Sequence, residues 1–287
     1  MERCVTAMDC EKYPVISIIL PVYNGERFLA CSIESCIDQT FKNWELLIID
    51  DCSCDRSAEI AQKYERRDER IHYYKNDLNR RLPRTLNRGF SLAKGKYLTW
   101  TSDDNYYRPQ ALEKMLDTLE NSNADFVFTA FSTINEKGET VKKNSIAEDP
   151  YHLIWKYNIV GACFLYSRAV YEKIGDYDPD LFLSEDYDYW LRVFAEFEVA
   201  YINEDLYAYR KHDKALTAVH KAAQHEALEK VLLKNLARRN DLEKLDWFYA
   251  YRGLHRSRRM KRSLFERFEY LPKWCYYKIW DLFQYKK

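Results

Sequence analysis

The chain has no long apolar run. Nothing in its 287 residues approaches the ~18 consecutive apolar positions of a membrane-spanning helix. Residues 1–14 hold Glu2, Arg3, Asp9, Glu11 and Lys12 where a signal peptide would have its apolar core, so the expected compartment is the cytoplasm. A disulfide or zinc framework is missing too. The eight cysteines (Cys4, Cys10, Cys31, Cys36, Cys52, Cys54, Cys163 and Cys275) show no regular spacing, and the C-x-C of Cys52 and Cys54 has no second pair nearby. Reduced thiols are the expectation, without a zinc site. There is no internal repeat and no low-complexity linker. Net charge is absent as well, because 45 Lys and Arg offset 45 Asp and Glu. The balance is uneven along the chain. From Arg252 to Lys287 there are eleven basic residues against three acidic ones, which leaves the remainder acidic by a similar excess.

What is present suffices for a full core. Hydrophobic residues make up 47% of the chain, and its length suits one large α/β domain with an appendage or two modest domains. Residues 15–20 form a short β-branched apolar run, the mark of a strand buried on both faces, which Pro21 is expected to end. Asn24 is placed to cap a helix whose apolar face is Phe28, Ile33, Cys36 and Ile37. Further strands are expected at 44–49, 71–74 and 96–100, with helices at 56–67 and 83–93, the latter closed by Gly95 as a C′ residue. This alternation predicts a doubly wound, mostly parallel sheet. Later segments are more mixed. Strands are expected at 125–131, 139–143, 162–166 and 206–210, and helices at 151–157, 185–194 and 216–239.

Ligands of such sheets bind beyond the carboxyl ends of the strands. Two acidic pairs fall there, Asp50-Asp51 and Asp103-Asp104, and are expected to share one crevice. Adjacent carboxylates at a strand end point to opposite sides. One of the pair at 103–104 could hold a hard divalent cation, Mn2+ or Mg2+, against a pyrophosphate, while the other reaches a ribose or sugar. A carboxylate of Asp50-Asp51 could accept a uracil imide N–H or ribose hydroxyls. Each pair alone also reads as ordinary turn chemistry.

Four runs carry a family resemblance in the right order. Ser17-Ile18-Ile19-Leu20-Pro21-Val22-Tyr23-Asn24-Gly25-Glu26 resembles the opening of family 2 glycosyltransferases, and so does Leu47-Ile48-Ile49-Asp50-Asp51-Cys52-Ser53-Cys54-Asp55. Gly95-Lys96-Tyr97-Leu98 with Ser102-Asp103-Asp104 resembles the family's strand and DXD region. Ser184 to Arg192 resembles its ED motif. The resemblance spans roughly residues 15–212. It implies a GT-A fold and a metal-dependent, inverting transfer from a nucleotide-sugar donor, expected to be a UDP-sugar, to a hydroxyl-bearing glycan or glycolipid. It implies that Asp51 contacts the base, Asp103 the ribose or sugar, and Asp104 the metal, and that Asp186 is the general base. Pro21 and Tyr23 would line the nucleotide pocket. Tyr209-Arg210-Lys211-His212 resembles the family's Tyr-Arg-x-His segment, where His212 could complete the metal shell and Arg210 could neutralise phosphate. Among Arg80, Arg81, Arg84 and Arg88, Arg81 and Arg84 are best placed to clamp a pyrophosphate. Asp188 competes for the base role, but helical geometry turns it away from Asp186. One departure stands out: Thr101 occupies a place where many relatives carry an extra Asp.

The expected organisation is an extension at 1–14, a catalytic domain at 15–215 and a helical, basic-aromatic region at 216–287. Phe265, Phe268, Tyr270, Trp274, Tyr276, Tyr277, Trp280, Phe283 and Tyr285, set among the basic residues, suit peripheral contact with an anionic membrane surface. A lid over the catalytic domain or a dimer contact fits the same composition. No motif supports nucleic-acid binding. Two other readings are kept: a metal-dependent nucleotidyltransferase and a non-catalytic sugar-nucleotide-binding scaffold. Pro21-Val22-Tyr23-Asn24-Gly25 is not the Gly-rich, basic loop that would open the first. The presence of both Asp104 and Asp186 argues against the second.

Overall fold

The computed structural model describes residues 13–239 and 241–259. The elements run β1 (Ile16–Val22), α1 (Leu29–Ile37), β2 (Trp44–Asp50), α2 (Ser57–Glu65), β3 (Ile71–Lys75), α3 (Arg81–Leu92) and β4 (Tyr97–Trp100). They continue with β5 (Tyr106–Tyr107), α4 (Ala111–Glu120), β6 (Phe126–Ile134), β7 (Thr140–Asn144), α5 (Pro150–Leu153), β8 (Phe164–Ser167) and α6 (Arg168–Ile174). Last come α7 (Glu185–Glu196), β9 (Val199–Arg210), α8 (Leu216–Val219), α9 (Lys221–Ala237) and α10 (Lys244–Arg259). One sheet holds all the strands, in the order β3-β2-β1-β4-β8-β6-β9-β5, with β7 paired to β6. β3, β2, β1 and β4 are parallel, so their carboxyl ends lie along one edge.

Side-chain alternation packs both faces. Ile16, Ile18, Leu20, Leu46 and Ile48 join Leu29, Ile33, Cys36 and Met115 on one side of the sheet. Ile19, Leu47 and Ile49 join Leu86, Phe90 and the aromatic cluster of Phe126, Phe164, Tyr166 and Trp190 on the other. Each such Ile or Leu, fully removed from water, contributes about 1.5–3 kcal/mol. Val231, Leu232 and Leu236 of α9 and Trp247, Ala250 and Leu254 of α10 belong to this second core. The two carboxyl-terminal helices are thus built onto the sheet domain. The basic-aromatic segment from residue 260 onward lies outside the described residues.

Several local expectations are corrected. Pro21 does not end β1, which runs on to Val22 beside Asp50. Pro21 faces the β4 side, where the ladder closes with the Thr101 N–H donating to the Ile19 carbonyl at 2.9 Å, so no donor is missed there. Asn24 does not cap α1. It has φ 54°, and its Oδ1 accepts the Cys54 N–H at 2.9 Å, tying the first turn to the second. Gly95 is not a left-handed C′ residue. It is needed because a Cβ there would stand 2.5 Å from the Ser17 backbone N and 2.8 Å from the Ile16 carbonyl carbon. The helix expected at 216–239 is two helices parted at His220. β9 begins at Val199, well before the expected 206.

Gly95→Ala is expected to lower stability by roughly 1–3 kcal/mol, because the clash is with backbone that cannot rotate away. Urea unfolding checks it. A midpoint equal to the wild type's would mean that β1 yields at this point.

Candidate functional site

Three turns meet at the carboxyl edge of the parallel strands. After β1, the Asn24 N–H donates to Ser53 Oγ at 3.0 Å and the Gly25 N–H to Ser57 Oγ at 2.9 Å. After β2, Asp50 is buried and used up locally: its carboxylate accepts from the Ser53 N–H at 2.8 Å and the Tyr73 hydroxyl at 2.6 Å. Asp51 behaves differently. Its Oδ1 accepts from Asn76 Nδ2 at 2.7 Å and the Arg80 N–H at 2.8 Å, and its Oδ2 accepts from the Arg81 N–H at 2.9 Å. It shapes the entry to α3, and a lone pair remains on Oδ2. Arg88 is not a free phosphate clamp, since it donates to the Lys75 carbonyl at 2.7 Å and to Asn76 Oδ1. Arg81 and Arg84 are exposed at the start of α3, with the Arg81 guanidinium 5.4 Å from the Phe182 ring centroid.

The third turn follows β4. Asp103 lies so near Gly25 that a Cβ at 25 would stand 2.1 Å from Asp103 Oδ2, and the Tyr23 N–H donates to its carboxylate. Burial and the Asp104 charge push Asp103 up to about 8. Asp104 Oδ2 stands 3.0 Å from His212 Nε2. Its Oδ1 and His212 Nδ1 are buried without a partner. Arg210 does not reach out toward a phosphate. Its guanidinium donates to the Asp104 carbonyl at 2.9 Å and the Glu136 carbonyl at 3.0 Å, and it stacks 4.4 Å from the Phe28 ring centroid. Thr101 is fully buried with its hydroxyl 2.7 Å from that of Tyr207. Pro21 is buried in β1, whereas the Tyr23 ring is 52% exposed beside the turn.

α7 begins at the same edge. Asp186 Oδ2 accepts from Asn158 Nδ2 at 2.9 Å and Oδ1 from the Tyr187 N–H at 2.7 Å. Burial raises its pKa to about 6. Asp188 is fully buried and committed: Arg192 Nε at 2.9 Å, Lys234 Nζ at 3.0 Å and Asn235 Nδ2 at 3.0 Å surround it. Tyr209 of β9 joins the two halves of the crevice. Burial raises its pKa first, and the Asp104 and Asp186 carboxylates both add to the shift.

Asn158, Asn76 and Gly25 were not marked for these parts by any pattern in the sequence. Asn158 sits in an irregular segment with no pattern. Gly25 was legible only as part of a longer run.

A divalent ion would find two protein ligands in contact here. Among the described residues no group of three or more His, Cys, Asp or Glu forms a ready cage. Asp104 would give such an ion a hard oxygen and His212 an imidazole nitrogen, and water and substrate phosphates would complete its shell.

A mixed sheet with acidic turns at the carboxyl edge of its parallel half, and an acidic helix start in α7, is the arrangement of a GT-A fold. The chain belongs to glycosyl transferase family 2, whose family model matches residues 17–181. An uncharacterised glycosyltransferase of Rickettsia typhi is 30% identical over 239 residues, covering 78% of this chain and 73% of that protein. TuaG of Bacillus subtilis, whose name assigns it to teichuronic acid biosynthesis, is 29% identical over 209 residues, covering 71% and 82%. Among solved structures, S. aureus TarS 1–349 in complex with UDP-GlcNAc superimposes with a TM-score of 0.69 at 16% identity, over 94% of this chain and 80% of that one. The mannosyltransferase PcManGT from Pyrobaculum calidifontis, in complex with GDP-Man and Mn2+, gives 0.60 at 12% identity, over 96% and 81%. At these identities the two structures establish the fold.

Thr101→Asp is expected to cost on the order of 3 kcal/mol, because a second charge would be buried close to Asp103 and Asp104 with the Tyr207 hydroxyl as its neighbouring donor. Thr101→Val should cost about 1 kcal/mol for the lost hydroxyl contact. Chemical denaturation of both variants tests this, and equal midpoints would show that position 101 tolerates the family's acid.

Proposed function

We propose that this glycosyltransferase takes its sugar from a nucleoside-diphosphate donor, a UDP-sugar, and passes it with inversion to a hydroxyl of a glycan or glycolipid acceptor. The observation that carries the reading is the Asp104–His212 pair. Its atoms meet at 3.0 Å, while Asp104 Oδ1 and His212 Nδ1 stay buried and unpartnered beside Asp103. Such a set suits Mn2+ or Mg2+, which would neutralise the charge on the departing diphosphate. UDP-GlcNAc in TarS and GDP-Man with Mn2+ in PcManGT support a nucleotide-sugar donor. Family membership sets aside the nucleotidyltransferase and scaffold readings.

In this proposal residues 15–215 are the catalytic domain. Asp51 offers its remaining Oδ2 lone pair to the base, and Pro21 and Tyr23 line the nucleotide pocket. Asp103, held at Tyr23 and Gly25, faces the ribose or sugar. Arg81 and Arg84, exposed at the amino end of α3, meet the diphosphate through their guanidinium groups. Asp186 takes the acceptor proton. An alcohol is a weak nucleophile, and a carboxylate in hydrogen-bond reach removes its proton as the new bond forms. Attack opposite the leaving diphosphate inverts the anomeric carbon. The raised pKa of Asp186 makes it a stronger base than an ordinary carboxylate while leaving it ionised at neutral pH.

Peripheral membrane contact belongs to the same proposal. No helix among the described residues is long and apolar enough to cross a membrane. Leu245 and Phe248 of α10 are exposed, with the Arg252 guanidinium 5.7 Å from the Phe248 ring centroid, and the basic-aromatic segment follows. Both features suit an anionic surface.

Asp104→Ala and His212→Ala are expected to weaken Mn2+-dependent UDP binding by about 10-fold or more, with UDP binding in EDTA unchanged. Calorimetric titration with and without Mn2+ reads this, and retained metal dependence in Asp104→Ala would remove it from the metal site. Asp186→Asn should abolish transfer and keep UDP binding. In the wild type, kcat/KM should rise with pH through about 6 and level off above, because the base is protonated on the acid side. A profile flat from pH 5 to 7 would be incompatible with Asp186 as the base.

A further inference from the structure

Both oxygens of Asp186 are held, one by its own helix and one from far along the chain. The Tyr187 N–H takes Oδ1, and the side-chain amide of Asn158 takes Oδ2. Among the described residues, the titratable groups around this carboxylate are Glu185 and Tyr187 of α7, Tyr177 ahead of α7, and Tyr209 of β9. None of these is a cation. The Asn158 amide is therefore the side-chain donor that favours the charged form of the base.

The segment just before Asn158 lies against α10. The Tyr249 hydroxyl donates to Glu148. His152 Nδ1 meets Asp246 Oδ1 at 2.7 Å. The Lys156 ammonium lies 5.6 Å from the Tyr249 ring centroid. Gly253 sits directly against the chain, where a Cβ would stand 2.8 Å from the Lys156 carbonyl oxygen and 2.9 Å from that of Trp155. Trp247, Ala250 and Leu254 are buried along the same helix. The backbone just before Asn158 thus rests on α10, beyond the residues 17–181 matched by the family model.

We propose that Asn158 is a positioning residue for Asp186, aiming its carboxylate at the acceptor hydroxyl, and that α10 keeps Asn158 in register by clamping residues 148–156. The proposal rests on the reading of Asp186 as the base. Removing a donor from a carboxylate disfavours its charged form, so the acid limb of the rate profile reports the contact directly.

The test compares Asn158→Ala, Asn158→Gln, Gly253→Ala and Asp186→Asn by thermal melting, Mn2+–UDP affinity and the pH profile of kcat/KM for UDP release from a UDP-hexose panel. Asn158→Ala is expected to bind UDP within twofold of wild type, to lose about 10-fold in kcat, and to move the acid limb up by about 1 pH unit. Asn158→Gln, which keeps an amide donor, should recover part of both. Gly253→Ala should move the limb in the same direction without touching Asp186. An unmoved limb in Asn158→Ala beside an inactive Asp186→Asn overturns the positioning role and leaves the base in place. Wild-type turnover in Asp186→Asn overturns the base instead. A lower melting temperature with an unmoved limb in Gly253→Ala reduces α10 to a structural support and overturns the clamp.

Discussion

Burying a carboxylate costs several kcal/mol unless donors meet it, and this fold gathers carboxylates at one edge of its sheet. How each is met decides what it does. Asp50 receives a backbone N–H and a tyrosine hydroxyl and becomes part of a turn. Asp188 receives Arg192, Lys234 and Asn235 and becomes the joint between α7 and α9. Asp104 is left with a buried oxygen that no group meets, and the Asp103 carboxylate is packed against Gly25. The same edge therefore holds acids already used by the fold and acids whose chemistry is still available.

The available acids are kept so by close packing elsewhere. Without a Cβ at Gly25, the first turn lets Asp103 into contact with the Tyr23 N–H. Thr101 fills its buried site with a hydroxyl that Tyr207 can satisfy, which removes one charge from beneath Asp104. Arg210 spends its donors on carbonyl oxygens and so fixes the backbone of the acidic turn without neutralising the carboxylates. An arginine turned the other way would have formed an ion pair there and emptied the site of free charge.

The sheet was legible because its signals are local. A β-branched run at 15–20 alternates between two cores, and that alternation is visible in the sequence as an unbroken apolar stretch. The acidic pairs were legible as strand ends for the same reason. Position within a pair came from the family resemblance alone. Nothing in Asp50-Asp51 distinguishes the acid that Tyr73 closes from the one that opens α3, because the donors come from residues 73–81 through tertiary contact. Asn24 reads as a cap by its neighbours, yet the third dimension offers it Cys54, and the long-range bond wins. β5, at two residues, is too short to show a period, whereas α4 was missed although Ala111, Leu112, Met115, Leu116 and Leu119 stand at helical spacing and are buried.

The two sides of the crevice differ in how they are encoded. The donor side comes from short runs in which turn, carboxylate and glycine stand within a few residues of each other, so a family pattern can carry it intact. In the proposed assignment the acceptor side draws on Asp186 of α7 and on Asn158 from a separate segment, with α10 behind that segment. Contacts so far apart in sequence are free to vary piece by piece without breaking any short motif. A chain of this kind can therefore hold its donor chemistry constant while the segments around the base are remodelled. That explains physically why the reaction class is plain in this sequence and the acceptor is not.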